Sequence, residues 1–582
     1  YEITTRLVGS EMCIRDRPYA IAITNATQPG QSRVIEKGTK NEFYTVNLFS
    51  DYSRQLGDHY FKVMGGFNAE HQNVRTLSAW RDGIIVPDLP TIDTSTEQDV
   101  AGGGYNHWAT AGFFGRLNYN YKEKYLLEVN GRYDGTSRFM KDQRWNFFPS
   151  FSLGWNVARE NFWKPLESVV NQFKLRGSWG ELGNQNTSNL YPFYEILPVK
   201  SNSGNWLVNG GKTNTADIPS LVSTLLTWER VRSFNVGFDF GAFSNRLTGS
   251  FDYFVRKTVD MVGPAPQLPL VLGIAPAIVN NADMKSYGFE IELSWRDRIG
   301  EVDYGVKFNL ADAQQKVVKY PNTTNAFNDW YAGKMSGEIW GYTSLGIAKT
   351  DEEMKEHLAS LPNGGQNQLG NKWGAGDIMY ADINGDGKVD GGKGTLADPG
   401  DQRIIGNSTP RYNFGLVLDA SYKGFDVSIF FQGVGKRDYA PIVGTNGAVF
   451  WGAVNNIWQS MAMEEHFDYF RPEGHPMGAN LNGYYPRPDF TSNKNHQVQT
   501  RYLQDASYIR LKNLQIGYTL PKQWINKLHI NRCRVYVSGD NLWTGTSLAS
   551  MFDPETLAAG DWGSGKTYPL SKVISFGLNV NF

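Results

Sequence analysis

Strict alternation of apolar and polar residues recurs along the chain and restricts it to β-sheet folds. From residue 287 to 295 every odd position is apolar or aromatic, and every even position is small or polar. Successive side chains of a strand point to opposite faces, so this pattern predicts a strand with one apolar and one polar face. Fifteen segments behave in this way, near 43–54, 60–73, 111–121, 125–133, 147–156, 173–181, 234–240, 247–256, 287–295, 302–310, 412–422, 425–434, 508–520, 532–543 and 571–582.

The composition agrees with a β-rich fold and excludes several classes of protein. Aromatic residues make up 14% of the 582 residues, and there are 62 glycines. The 57 basic and 58 acidic residues nearly cancel, so no global charge favours a nucleic acid partner. No run of eighteen apolar residues occurs, which excludes a transmembrane helix. The two cysteines, Cys13 and Cys533, are too few for a disulfide framework or a metal cluster.

The chemistry of the apolar rows distinguishes a membrane barrel from a soluble sandwich. These rows start and finish on aromatic residues, as at Tyr287 and Trp295 or at Tyr412 and Tyr422. Aromatic residues concentrate at the two interfaces of a membrane, and about 9–11 residues of tilted strand cross its hydrocarbon. Lipid offers no hydrogen-bond partner to an open sheet edge, so such strands must close. The sequence therefore predicts an all-β, antiparallel transmembrane β-barrel in outer-membrane lipid.

The connections alternate between short and long, as they do in outer-membrane barrels. Short links fall at Leu56–Asp58, Lys122–Lys124 and Lys423–Gly424, for example. The long loops, expected on the extracellular side, lie near 74–110, 134–146, 182–226, 257–284, 319–410, 437–507 and 544–570. A single-chain bacterial barrel has an even number of strands, so about fifteen strands predict that roughly seven more, and what precedes them, are missing.

Residues 1–17 are expected to be non-native. They lack an initial Met, an apolar signal-peptide core and a strand period, and they resemble translated sequencing-adapter read-through. The alternative is an ordinary polar loop. We therefore set this segment and Cys13 aside, and we interpret residues 18–582 as the C-terminal part of the barrel.

The last strand carries a candidate assembly signal. Its apolar face ends on the final residue of the chain, while Ser575, Gly577, Asn579 and Asn581 form the other face. An aromatic carboxyl terminus after such a row resembles the signal that the barrel-insertion machinery reads. The predicted signal residues are Ile574, Phe576, Leu578, Val580 and Phe582.

Longer blocks of sequence resemble SusC/RagA-type TonB-dependent receptors. The resemblance covers almost the whole chain from about residue 35, and the blocks keep the order of the family. They include FKVMGGFNAE (61–70), GFFGRLNYNYKEKYLLEVNGRYDGTSRF (112–139), FFPSFSLGWNVARENFW (147–163), FKLRGSWGELGNQN (173–186), LTWERVRSFNVGFDFGAFSNRLTGSFDYFVRKTVDM (226–261), YADINGDGKVD (380–390), RYLQDASYIRLKNLQIGYTLP (501–521) and RVYVSGDNLWTGT (534–546).

The resemblance implies an active importer of oligosaccharides or peptides in the bacterial outer membrane. Such proteins are similar to twenty-two-stranded barrels with an internal plug, and a SusD-like surface lipoprotein forms a lid over them. The TonB complex would supply energy through a segment near the amino terminus. We expect both that segment and the plug to lie in the missing part of the protein.

The segment DINGDGKVD resembles the first nine positions of a calcium-binding EF-hand loop. Its candidate ligands are the side chains of Asp382, Asn384, Asp386 and Asp390 and the backbone carbonyl of Lys388. The glutamate expected at the twelfth position is replaced by Lys393, so Asp398, Asp401 or water would have to complete the coordination. A solvated, turn-rich loop without calcium is the alternative.

Other motifs carry little chemistry. Residues 560–567 match the Walker A pattern, but Tyr568 and Pro569 follow where a helix would be required, so we interpret the match as chance. No nucleophile elbow or metal-ligand spacing of histidines occurs, and no enzymatic activity is expected. Loop aromatics are candidates for stacking on sugars, for packing the loops or for meeting the lid; they include Trp330, Tyr331, Trp340, Trp451, Trp458, Tyr484 and Tyr485.

Two alternatives to the active importer remain open from the sequence. A passive porin-like channel would have the same wall but no plug. A secreted β-rich glycan-binding or glycan-cleaving protein would account for the calcium-like loop and the aromatic loops, although the apolar strand faces and Phe582 argue against it. No residue identifies the substrate.

Overall fold

The alternating segments form one large antiparallel sheet. The computed structural model describes residues 5–17 and 33–582, except 87, 98, 188, 266–270, 272, 275, 442–448, 455–462, 491, 526–528 and 558–567. Sixteen strands follow one another in the sheet in chain order, which confirms the predicted all-β class. They are β1 (Thr5–Arg17), β2 (Arg33–Leu56), β3 (His59–Asp82), β4 (Asp99–Tyr121), β5 (Tyr125–Thr136), β6 (Trp145–Asn156), β7 (Val170–Asn184), β8 (Glu229–Ala242), β9 (Leu247–Val262), β10 (Asn280–Ile299), β11 (Val302–Lys319), β12 (Arg411–Tyr422), β13 (Phe425–Lys436), β14 (Tyr508–Thr519), β15 (Arg532–Thr546) and β16 (Val573–Asn581).

Fifteen of these strands are the predicted ones, and the sixteenth is β1. This strand lies within residues 1–17, which were expected to be non-native and not part of the sheet. It pairs with the first part of β2, with Arg17 opposite Arg33 and Thr5 opposite Tyr44. The free edge of a sheet presents unpaired backbone groups to any extended segment. Backbone pairing at such an edge requires no particular side chains. A strand without a period of two, such as β1, therefore cannot be predicted from its sequence.

The strands near the amino end are longer than the predicted segments. Strands β2 and β3 have 24 residues each and pair along their whole length, so the loop expected at 74–110 is partly strand. At about 3.3 Å per residue such a strand measures roughly 80 Å, well beyond what hydrocarbon requires. Outside lipid both faces meet water, so the period of two fades although the backbone pairing continues.

The chain folds as two compact units. The first consists of the described residues of 1–154, 178–233 and 258–281, and the second of the described residues of 155–177, 234–257 and 282–582. A small apolar cluster in the first unit centres on Trp228, whose ring packs edge-on against Phe139 and Phe148 at 5.8 and 5.4 Å. The Trp228 Nε1 group donates to the carbonyl of Arg144 at 2.7 Å, which satisfies the only polar atom of the side chain.

In the second unit the strands from β10 to β16 share one apolar face. Residues directly opposite in antiparallel strands lie on the same face of the sheet. One row of cross-strand partners is Tyr304, Ala420, Val427, Ile516, Val537 and Phe576, and the next is Val302, Tyr422, Phe425, Tyr518, Val535 and Leu578. The residues predicted to face outward, Phe289, Ile291, Val306 and Phe308, belong to the same face and are exposed or half-buried.

Short elements occupy the loops. Helix α1 (Asp351–Ala359) begins after Thr350, whose side chain accepts the amide of Glu353 at 3.1 Å, and α2 is Lys522–Ile525. No helix among the described residues is long and apolar enough to cross a membrane. Two-stranded ribbons join Val199–Lys200 with Thr215–Ala216, Leu207–Val208 with Gly211–Lys212, Glu338–Gly341 with Arg403–Asn407, Ser344–Ile347 with Ile378–Tyr380, and Asp438–Tyr439 with Gln504–Asp505. Turns of 3₁₀-helix lie at Lys141–Gln143, Val157–Arg159, Asn161–Leu166, Val449–Val454, Glu464–Phe467 and Thr500–Tyr502.

Candidate functional site

The face of β10–β16 opposite the apolar rows carries paired polar side chains. Arg534 donates from Nε to the Oδ1 atom of Asp426 at 2.9 Å and from Nη2 to the Oε1 atom of Gln515 at 3.0 Å. Asn513 Nδ2 donates to Asp540 Oδ1 at 2.7 Å. Groups of this kind would be costly in lipid, but they suit a wall that contacts water or a hydrophilic solute. The same strands therefore separate a surface for lipid from a surface for water.

Three long loops of the second unit fold together into what we call the loop cluster, which comprises the described residues of 320–410, 437–507 and 547–557. They share one hydrophobic core around buried aromatic side chains. Trp451, with 1% of its surface exposed, packs edge-on against Tyr502 at 4.8 Å. The other buried members of this core are Tyr342, Leu361, Ile378, Tyr380, Val389, Phe450, Tyr485, Ala506, Leu548, Phe552 and Leu557.

This core decides the role of several loop aromatics. Trp451 and Tyr485 are buried in it, so their rings are not available to stack on a sugar. Tyr484 packs against the same core and accepts a hydrogen bond from Gln504 Nε2 at its hydroxyl, at 3.0 Å. Trp340 stacks on Phe327 at 4.6 Å and is half-buried, as are Trp330 and Tyr331. Trp458 lies outside the described residues.

A buried ion cluster joins two of the loops. The Asp377 carboxylate, fully buried, accepts from Arg487 Nε at 2.8 Å and Nη2 at 2.6 Å, from Lys494 Nζ at 2.9 Å and from Asn495 Nδ2 at 2.9 Å. More than one hundred residues separate Asp377 from these partners in the sequence. No motif marks them, so reading the sequence missed this cluster.

The calcium-like loop forms tight turns around its own side chains. Asp382 accepts the amides of Gly385 at 2.7 Å and Gly387 at 2.8 Å. Both glycines have positive φ angles of 76° and 81°, which a residue with a Cβ adopts at a cost. The aspartate and the two glycines of the motif therefore determine the backbone conformation of this loop.

The candidate calcium ligands are already engaged in hydrogen bonds or ion pairs. Lys388 places its Nζ atom 2.5 Å from Asp390 Oδ2, and this ammonium holds the pKa of the Asp390 carboxyl below its usual range. Buried Asp401 accepts the amides of Ile383 at 2.7 Å and Asp390 at 2.8 Å, which ties both ends of the loop together. In the part of the chain that the structure describes, no group of three or more His, Cys, Asp or Glu side chains is arranged to hold a metal ion. Calcium binding stays a prediction.

The five candidate assembly residues lie on the edge strand β16 and directly after it. Ile574, Phe576 and Leu578 face the apolar residues of β15, and Val580 lies opposite Cys533. Phe576 is 82% exposed and the terminal Phe582 is 85% exposed. The structure therefore presents one apolar row at a sheet edge, and its role as a recognition signal stays a prediction.

Two further sequence features add no site. The Walker-like residues 560–567 lie outside the described residues. Cys533 is buried and free. Cys13 lies in β1, whose side chains are outside the described part of the structure.

The comparisons with known proteins agree with the two-faced sheet. The family described as TonB dependent receptor-like, beta-barrel matches residues 16–542. TonB-dependent receptor P3 of Formosa agariphila is 29% identical over 92% of this chain and 52% of its own length. TonB-dependent receptor SusC of Bacteroides thetaiotaomicron is 23% identical over 92% of this chain and 50% of its own. The solved RagAB peptide transporter has a TM-score of 0.76 at 20% identity and covers 98% of this chain and 58% of that one.

These matches define the class as outer-membrane β-barrels. Within that class the chain belongs to the TonB-dependent receptor family, and it is similar to SusC and to RagAB. The predicted resemblance, barrel fold and outer-membrane location are thereby confirmed. The chain spans about half the length of the relatives it matches.

Proposed function

We propose that the whole protein containing this chain imports oligosaccharides or peptides across the outer membrane, driven by the TonB complex. The single observation that carries the proposal is the register of β10–β16, which aligns apolar partners on one face and polar partners on the other. A wall of this kind separates lipid from an aqueous path. Membership of a TonB-dependent receptor family supports the energy coupling that we propose for this path.

We further propose that a SusD-like lipoprotein covers the loop cluster at the cell surface. The support is that three loops are folded into one body by the core around Trp451 and Tyr502, so they present a defined surface. A pre-organised surface binds a partner at a lower cost in entropy than separate mobile loops do. One relative is named SusC, and the solved RagAB is described as a peptide transporter.

The other two functions are less well supported. A secreted protein does not agree with membership of an outer-membrane family. A passive channel has the same wall, but the family to which the chain belongs is named for TonB dependence.

Uptake by whole cells tests the proposal. A strain lacking the protein is complemented with the complete gene, and import of labelled oligosaccharide and peptide mixtures is measured with TonB active and inactive. We expect uptake that requires both the gene and active TonB. Uptake that persists at full rate without TonB would instead establish a passive channel, and equal uptake with and without the gene would remove the import function.

A further inference from the structure

We propose that the loop cluster contains a binding site for an acidic sugar unit, which holds a uronate carboxylate and its ring hydroxyls. The site is a cavity of about 480 Å³ lined in part by Lys372, Arg487, Asp489, Ser492 and Lys494. Its volume is within the range of about 300–1,000 Å³ that small-molecule sites occupy. This inference rests on the proposed import function, and it names acidic sugars as a class of imported substrate.

The inner wall of the cavity is built on the Asp377 ion cluster. Lys494 is only 1% exposed, and its Nζ donates to the carbonyls of Asn371 at 3.2 Å and Lys372 at 3.0 Å as well as to Asp377. All three donors of this ammonium are therefore used. The Asp377 carboxylate is shared by Lys494 and Arg487, so two cations face one buried anion.

Unused donors remain at the mouth of the cavity. Arg487 uses Nε and Nη2 within the protein, and among the described residues its Nη1 atom has no partner. The ammonium of Lys372 has no ion pair with any described residue either. The Ser492 hydroxyl oxygen accepts the amide of Lys494 at 3.2 Å, which leaves its hydrogen free to donate.

The backbone conformation of Lys372 directs its carbonyl group towards Arg487 and Lys494. Its φ angle is +56°, a left-handed conformation that is uncommon for a residue other than glycine. The carbonyl of Lys372 accepts from both Arg487 Nη2, at 2.9 Å, and Lys494 Nζ. Strained backbone held by its surroundings in this way is concentrated at binding and active sites.

The net charge of the cavity lining favours a ligand with one negative charge. Three cations, Lys372, Arg487 and Lys494, exceed the two carboxylates of Asp377 and Asp489, so a single negative charge completes the balance. Asp489 lies in the lining, where it repels a dianionic phosphate more strongly than a carboxylate and accepts hydrogen bonds from hydroxyls. A planar carboxylate on a hydroxylated ring meets both conditions, because arginine and lysine donate to the carboxylate.

Calorimetric titration of the full-length receptor in detergent tests the site. The probes are a galacturonate oligomer, a neutral galactose oligomer of equal length and inorganic sulfate. The test variant is Lys372→Met, which keeps most of the apolar stem, and the matched control is Lys355→Met on the exposed side of α1. We expect the galacturonate oligomer to bind more tightly than the neutral one, and Lys372→Met to weaken it about tenfold, as for loss of one charge-assisted hydrogen bond.

Three results would overturn the inference. They are equal affinity for the acidic and neutral oligomers, no effect of Lys372→Met on the acidic one, or sulfate binding as tight as that of the acidic oligomer. Unchanged binding by Lys355→Met and an unchanged circular dichroism spectrum establish that a loss is local. TonB-dependent uptake of a neutral oligosaccharide or a peptide is measured in parallel, so this site can fail while the import function stands.

Discussion

Val537 of β15 and Phe576 of β16 lie directly opposite each other on the apolar face of the sheet. One residue along, Ser538 lies opposite Ser575 on the polar face. The last pair of strands therefore repeats the division of faces found from β10 onward. A one-residue slip of register would exchange the two faces, so the facing of every residue in these strands depends on this pairing.

Arginine substitutions on the two faces of β16 test this division. We expect Leu578→Arg to lower the amount of protein in the outer membrane strongly, because an arginine on the lipid face near the bilayer midplane costs about 2–4 kcal/mol. Ser575→Arg, on the polar face of the same strand, should have little effect. Membrane-fraction abundance is the measurement, and equal losses for both variants would contradict the assigned facing. Deleting Phe582 should also lower abundance if the terminal row is an assembly signal.

The Asp377 cluster should be required for the fold of the loop cluster. Asp377→Asn leaves Arg487 and Lys494 without their buried counter-charge, and breaking a buried pair from one side costs about 3–5 kcal/mol. We expect faster amide hydrogen exchange in 371–380 and 487–495, with the strands unaffected. Combining Asp377→Asn with Lys494→Met should recover part of the protection. Exposed Glu352→Gln on α1 is the control, and an effect as small as that of the control would refute the role of Asp377.

His496 should make the loop cluster sensitive to acid. It is 3% exposed beside Trp451, and burial lowers the pKa of this histidine to about 4, although the carboxylate of Asp489 acts in the opposite direction. Between pH 6.5 and 4 the unfolded chain binds a proton that the folded one does not, so stability falls as the pH falls. The free energy of unfolding falls by about 3 kcal/mol over this interval, because each unit of pKa shift is worth about 1.4 kcal/mol.

Protection factors of the loop amides against hydrogen exchange, measured at pH 7 and at pH 5, report this effect. His496→Gln cannot take up the proton and should flatten the dependence in this interval. His475, which is half-buried in the same loop cluster, provides the control substitution His475→Gln. A pH dependence that survives His496→Gln unchanged would assign the effect to other groups.

Calcium should protect the 375–405 segment from proteolysis, if the motif at Asp382 binds it. Lys388→Met should strengthen the effect, because the ammonium that now contacts Asp390 is removed while the backbone carbonyl of residue 388 is kept. Asp382→Asn should abolish the effect. Identical cleavage in millimolar calcium and in chelator, for the natural chain and for Lys388→Met, would show that the loop is a turn-rich segment without metal.

The sequence predicts the fold well wherever a strand has two chemically different faces. The fifteen alternating segments all became strands, because lipid on one side and water on the other impose a period of two. Strand β1 was missed because its sequence has no period of two. The first parts of β2 and β4 and the last part of β3 were missed because extended backbone with water on both faces carries no such period. The candidate binding site was less predictable because its residues are far apart in the sequence. Asp377 and Lys494 are 117 residues apart and meet only in the folded loops.

Accessibility of single cysteines in the native outer membrane tests the central claim most directly. In a full-length background without other cysteines, single cysteines replace Val306 or Ile429 on the apolar face. In the other variants they replace the neighbouring residues Lys307 or Ser428 on the polar face. A membrane-impermeant maleimide is then applied to cells. We expect positions 307 and 428 to react and positions 306 and 429 to be protected until the membrane is dissolved. Equal labelling of all four, or the reverse pattern, would contradict a wall with lipid on one face and water on the other.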